Sequence, residues 1–298
     1  MKTAAAVLAV LLATTPTAPS PDGGLSQTVD PNQSQATGRV VLDTGHVDIG
    51  PRLQDGRWSI QIHDDHAVPS VWREPADTVL HVRDTALLEV PDDPAYAFLG
   101  AQPGEKVHVV PQTEKQGVVW IGWNTQDPAV MQAISRGVTL SLRGAQGPGD
   151  VTVYLQSGNL GAPQVLWNTA KPLPQPLWVE TNTHTHANWV FTKPGNYQLA
   201  VDVTADLADG STASASTMLR LAVGDATAPD YDTAFTAPPA AASGSAAAAA
   251  PDAREASSSF AAPALIGAGA LAVLIIGGLV FRQSTVRRRA EREREATR

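Results

Sequence analysis

Cysteine is absent from the 298 residues. That excludes a disulfide framework, a thiolate zinc site and a thiol nucleophile, and it leaves packing alone to hold whatever core forms. Signature motifs of common chemistries are also missing: there is no GxSxG elbow, no HExxH pair and no P-loop. Helical periodicity is nearly missing too, with one short amphipathic candidate at 127–135. Positive charge is scarce except at one end. The formal net charge is −8, yet residues 282–298 hold seven arginines and three glutamates. The rest of the chain then carries 14 basic against 26 acidic side chains, a balance that argues against nucleic acid as a partner.

Two apolar runs frame the chain. Met1-Lys2-Thr3 leads into an apolar run of about ten residues followed by small residues and prolines, the pattern of a secretory leader; residues 1–18 are assigned to it. Near the other end, residues 261–281 contain no charge and are followed at once by arginines. At about 1.5 Å per residue this segment spans a hydrocarbon core of roughly 30 Å, so it is expected to be a single transmembrane helix. The basic tail at 282–298 places that end in the cytoplasm and everything before it outside. No LPxTG-type sorting motif is present. Residues 225–260, rich in Ala, Pro, Ser and Thr, read as a flexible stalk, and residues 19–37 as a disordered lead-in.

Between them, 38–224 reads as an all-β region. Short alternating runs at 40–43, 58–62, 79–83, 106–110, 118–123, 139–143, 151–156, 188–191, 197–204 and 217–223 are divided by turn signals such as Asp55-Gly56, Pro103-Gly104, Pro194-Gly195 and Asp209-Gly210. Roughly ten such strands predict an antiparallel, immunoglobulin-like β-sandwich, either one large or two small with a division between 144 and 175. In the segment Trp189 to Leu199, a strand, a Pro-Gly turn and a Tyr opening the next strand predict that the Tyr197 hydroxyl bonds back to the turn. Leu199, Val201 and Val203 then point inward.

All seven histidines, at 46, 63, 66, 81, 108, 184 and 186, fall inside this region. His184 and His186 are two apart, so on a strand they share a face. His63-Asp64-Asp65-His66 packs two imidazoles and two carboxylates together, and His46-Val47-Asp48 sets a further histidine beside an acid. Without cysteine, imidazole and carboxylate are the ligands available to zinc or manganese. The expected site joins His184 and His186 with His46, His63 or His66. The plainer reading makes these packing histidines, as for His81 and His108. Trp58, Trp120, Trp123 and Trp189 alternate as core residues. Trp72, Trp167 and Trp178 lie near proline-rich turns, where exposure would suit a glycan or another surface ligand. A hydrolase built on the His63–His66 loop is the least supported reading.

The stretch His184-Thr185-His186-Ala187-Asn188-Trp189-Val190-Phe191-Thr192-Lys193-Pro194-Gly195-Asn196-Tyr197 resembles the actinobacterial surface-anchored repeat domain, and the ending through Leu221-Ala222-Val223-Gly224 fits it; the repeat-like part covers 180–224. Gly45-His46-Val47-Asp48 and Trp58 resemble the larger choice-of-anchor M domain proteins that contain this repeat. The resemblance implies a non-catalytic, membrane-anchored module at the cell surface. It also implies a gene setting beside an ABC transporter whose binding component looks like the zinc and manganese class, and hence a part in metal or nutrient uptake.

Overall fold

A computed structural model describes residues 29–158 and 161–236. The expected leader, the transmembrane segment, the basic tail and the stalk beyond residue 236 lie outside them. Among the described residues no helix is long and apolar enough to cross a membrane.

The alternating runs become strands, and the strands form three sheets. The largest has six, in the order Val40–Leu42, Thr78–Val82, Thr212–Val223, Gly195–Leu207, Ile134–Gln146, Gln175–Glu180. A five-stranded sheet runs Gln164–Asn168, Val151–Leu155, Asn188–Phe191, Lys106–Val110, Leu87–Glu89. Another runs His184–His186, Val119–Asn124, Gly45–Gln54, Arg57–Asp64, Val71–Arg73. The period of two does the sorting, because alternate side chains of a strand face opposite ways. Leu199, Val201 and Val203 are all but fully buried, as are Ile60, Ile62, Val151 and Val153. The one α-helix among the described residues, Pro128–Ala133, starts where expected, with the Asp127 side chain accepting from Val130 N at 2.8 Å as its N-cap.

A single cluster of 33 buried apolar residues draws on all three sheets, for example Ile121, Phe191 and Leu221. The region is thus one packed body, without a break between 144 and 175. Each fully buried Leu, Ile or Phe contributes about 1.5–3 kcal/mol, so this core can order the domain without a disulfide or a metal. The Tyr197 corner is present: its hydroxyl donates to Lys193 O at 2.6 Å, across the Pro194-Gly195 turn.

Three local expectations need correction. Residues 29–37, expected to be disordered, pack against the edge strand Val71–Arg73. Ala36 N donates to Trp72 O at 2.8 Å and Trp72 N to Ser34 O at 3.0 Å, which pairs an edge that would otherwise stay open. The stalk does not begin at 225, because Gln198 Nε2 and Arg220 Nη1 donate to Thr233 O and Thr236 N donates to Gln146 Oε1. Ordered chain therefore follows the large sheet to residue 236. Of the three tryptophans expected at the surface, Trp72 and Trp167 are buried and Trp178 is 52% exposed. Each buried indole packs edge to face or tilted against a ring, Trp167 on Trp189 and Trp72 on His63.

Six strands fall outside the expected runs: Gly45–Gln54, Val71–Arg73, Leu87–Glu89, Gln164–Asn168, Gln175–Glu180 and His184–His186. Gly45–Gln54 contains Gly50, Pro51 and Arg52, which weaken any β signal. It pairs in parallel with Val119–Asn124 only from Gly45 to Ile49, and with Arg57–Asp64 along its whole length. Pro51 lies past the end of the parallel ladder, where its missing N–H costs nothing.

Candidate metal centre

The sheet built on Gly45–Gln54 buries both of its faces. Val47, Ile49, Ile121 and Trp123 point into the main core. On the opposite face the same pleat aligns His46 and Asp48 with Trp120, Gly122 and Asn124, and these with His184 and His186. The register sets His46 beside Trp120, and Asp48 beside Gly122, which in turn lies beside His186. Gly122 is the floor between them. A Cβ on it would collide with Asp48 Oδ1 and stand 2.8 Å from His186 Cε1.

Over that floor three imidazole nitrogens converge. Nε2 of His46 is 3.0 Å from Nε2 of His184 and 2.9 Å from Nε2 of His186, and the latter two are 3.1 Å apart. Asp48 Oδ2 lies 3.3 Å from His46 Nε2 and 3.1 Å from His184 Nε2, and Oδ1 lies 3.6 Å from His186 Nε2. An imidazole nitrogen offers one in-plane position, either a proton or a lone pair. Three of them cannot all be paired with one another, so hydrogen bonding does not account for the triangle. A shared cation would, and the group has the make-up to hold one. The centre of a tetrahedron with these edges lies about 2 Å from each corner, the length of Zn–N and Zn–O bonds.

Supporting contacts hold three of the four ligands, His46, Asp48 and His186. Asp65 Oδ2 is 3.2 Å from His46 Nδ1, so that nitrogen holds its proton toward Asp65 and His46 Nε2 turns a lone pair to the centre. The same Asp65 oxygen is 3.3 Å from His63 Nδ1, and His63 Nε2 meets Gln33 Oε1 at 2.7 Å. Asn124 Nδ2 donates to Asp48 Oδ2 at 3.1 Å. Trp120 stacks on the His186 ring, with centroids 3.6 Å apart and planes 12° from parallel.

Charge completes the picture. Asp48 is fully buried, and burial alone would raise its pKa, yet His184 and His46 hold it well below the carboxylate range. Asp65 is likewise held down against its burial by His46 and His63. Burial opposes a charge on His46, but Asp48 and Asp65 outweigh it and raise its pKa to about 9. His186 is pushed down to about 3 by burial, against the pull of Asp48. Without an ion, a proton on His46 offsets the buried carboxylate. A dication in its place would be balanced by Asp48 and Asp65 together, so the donor set and its charge both fit a divalent metal.

Of the five histidines expected in the site, His46, His184 and His186 come together with Asp48. His63 falls in an adjoining group with Asp48 and Asp65. His66 is in neither. The Asp64 side chain accepts from the backbone N–H of His66 and Ala67, and this turn carries the His66 ring away onto Gly45. Asp48 was not among the expected ligands, although His46-Val47-Asp48 has the same two-residue spacing as His184-Thr185-His186. Gly122 and Asn124 gave no sequence signal. His81 and His108 take structural roles, meeting Gly224 O at 3.0 Å and Asp84 Oδ1 at 2.9 Å. In comparisons with known proteins, no family model, no curated protein and no solved structure matches this chain.

Proposed function

We propose that this domain is a non-catalytic binding module for a transition-metal dication, zinc before manganese. The observation that carries the proposal is the tetrahedron formed by Nε2 of His46, His184 and His186 and the Asp48 carboxylate. Four protein groups fill a tetrahedral shell, whereas catalytic zinc keeps a position open for water or substrate. Three imidazoles and one carboxylate suit zinc; manganese favours six oxygen-rich ligands. Calorimetric and thermal-shift titration of the purified protein with zinc and with manganese tests the reading. Zinc at one hundred times a micromolar Kd should stabilise by about 2.7 kcal/mol. A melting temperature unmoved by either ion, or equally moved after replacement of His46, His184 and His186 by alanine, would sink it.

The wider setting rests on the sequence. The leader at 1–18, the apolar segment at 261–281 and the basic tail support an immunoglobulin-like domain displayed outside a cell membrane on a single-pass anchor. The resemblance to surface-anchored repeat proteins supports a role beside an ABC transporter in metal uptake. Protease shaving of intact cells tests the display, and the absence of a metal-type transporter from the gene neighbourhood would remove the uptake role.

One observation favours a second reading, a surface module that contacts glycan. Trp178 is 52% exposed on the edge strand of the large sheet, in a shallow cleft with Arg136, Glu180 and Thr181. Such a ring can stack on a sugar face. Polysaccharide binding that survives Trp178→Ala would remove this reading.

A further inference from the structure

Three neighbouring strands of one sheet end together. Val151–Leu155 and Lys106–Val110 both run antiparallel to Asn188–Phe191, which lies between them. The residues just past the first two strands, Gln156 and Gln112, therefore meet Asn188, the first residue of the third. With Tyr96, Thr113 and Gly158 they line an open cleft of about 420 Å³, a size suited to a small ligand. The hydrogen bonds there fix which way the carboxamides face. Asn188 Oδ1 accepts from Gln112 N at 2.9 Å, and Gln112 Oε1 accepts from Gln156 N at 2.9 Å. A backbone N–H can only donate, so the oxygen end of each amide is the end that faces it. The NH2 ends of Gln112 and Asn188 are left over, and neither has a partner among the described residues. The remaining lining is held in place by the fold. Gln156 Oε1 accepts from the Tyr96 hydroxyl at 3.1 Å, and Gln156 Nε2 donates to Gly161 O at 3.3 Å. Gln112 O accepts from Trp120 Nε1 at 3.1 Å.

We propose that this cleft binds a neutral saccharide. No acidic or basic side chain lines it, so an ion of either sign would lose water there without gaining a countercharge. A sugar hydroxyl both donates and accepts. The NH2 groups of Gln112 and Asn188 donate to sugar oxygens, and the Thr113 and Tyr96 hydroxyls accept from sugar hydroxyls. The half-buried Tyr96 ring adds an apolar face beside these polar groups. Because Gln112, Gln156, Asn188 and Tyr96 are already held by hydrogen bonds, little side-chain freedom is lost on binding. The inference goes beyond the metal reading and does not depend on it. It also concerns a different sheet from the one whose edge carries Trp178.

The test is NMR of the side-chain amide groups in the full chain, in a sugar-free buffer. Glucose, galactose, mannose and N-acetylglucosamine are titrated separately, with acetate and phosphate at matched ionic strength as controls. At least one saccharide should shift the NH2 signals of Gln112 and Asn188 and saturate with a millimolar Kd. Gln112→Glu and Asn188→Asp keep the oxygen that accepts from the backbone and remove the NH2 donor. Each should leave the melting temperature in place and weaken that saccharide about tenfold, as the loss of one or two hydrogen bonds would. Trp178→Ala should leave the shifts unchanged. Signals unmoved by every saccharide overturn the proposal, and so do shifts given by acetate or phosphate alone. Saccharide binding that keeps its strength in both variants, or that is lost with Trp178→Ala, also overturns it. The wild-type shifts decide the matter even where a variant fails to fold, and a negative result leaves the zinc titration to stand or fall by itself.

Discussion

Gly122 and Asp48 sit side by side in neighbouring parallel strands, and the missing side chain of the first is the space that the carboxylate of the second occupies. The centre depends on this residue as much as on its ligands. Gly122→Ala is expected to displace Asp48 and His186 and abolish high-affinity zinc binding with every ligand still present. Overpacking of this kind costs about 1–3 kcal/mol, so the variant should remain folded, and denaturant melts run beside zinc calorimetry separate the two effects.

Asp65 touches no ion in the proposed geometry, yet it holds His46 from behind at 3.2 Å. Removing such support weakens metal binding by about 10–100-fold in known sites. Asp65→Asn should show a loss in that range by competition with a chelator of known affinity, while Asp64→Asn, whose partner is Arg73, should show less.

Zinc must displace the proton that His46 holds up to about pH 9. Binding should therefore release close to one proton at neutral pH, and affinity should rise with pH until about 9, as calorimetry in buffers of different ionisation enthalpy will read directly. Metal-free stability follows from the same two histidines with opposite signs. The His46 pKa is raised in the fold, so its contribution is full below about 6.5 and fades as pH rises through about 9. The His186 pKa is depressed, so its contribution is full above about 6.5 and fades as pH falls toward about 3. The metal-free melting temperature should peak near pH 6.5 relative to a variant carrying His46→Ala and His186→Ala.

Tyr197→Phe removes the hydroxyl bond to Lys193 O and leaves the ring in the core. A loss of about 1 kcal/mol is expected from a denaturant melt, with zinc affinity untouched because the corner lies in a different sheet.

What could be read beforehand was local. Alternation in Ile60 and Ile62 or in Leu199, Val201 and Val203 shows which side chains share a face, and the spacing of His184 and His186 shows that they act together. Parallel pairing is not local. Nothing near His46 reveals that its strand lies beside Val119–Asn124, some 75 residues on, and Gly50 with Pro51 disguises that strand as a loop. The same blindness hid Gly122, which has no side chain to announce a role. His66 carried the opposite error: it stands beside good ligands in sequence, but the Asp64 turn sends its ring elsewhere. Residues 29–37 and 225–236 looked too polar to order because their partners, Trp72 and the large sheet, are distant in sequence.

The ligands are contributed at residues 46, 48, 184 and 186, so the first and last of them are separated by most of the ordered chain. A ribosome must have made nearly the whole domain before the fourth corner exists. Any fragment ending short of residue 184, whether from early termination or from proteolytic nicking, lacks two imidazoles at once and keeps only His46 and Asp48. Occupancy of the centre would thereby certify completeness: a molecule that carried an ion would have been synthesised through the edge strand His184–His186 and would have closed the sheet of Gly45–Gln54 around it.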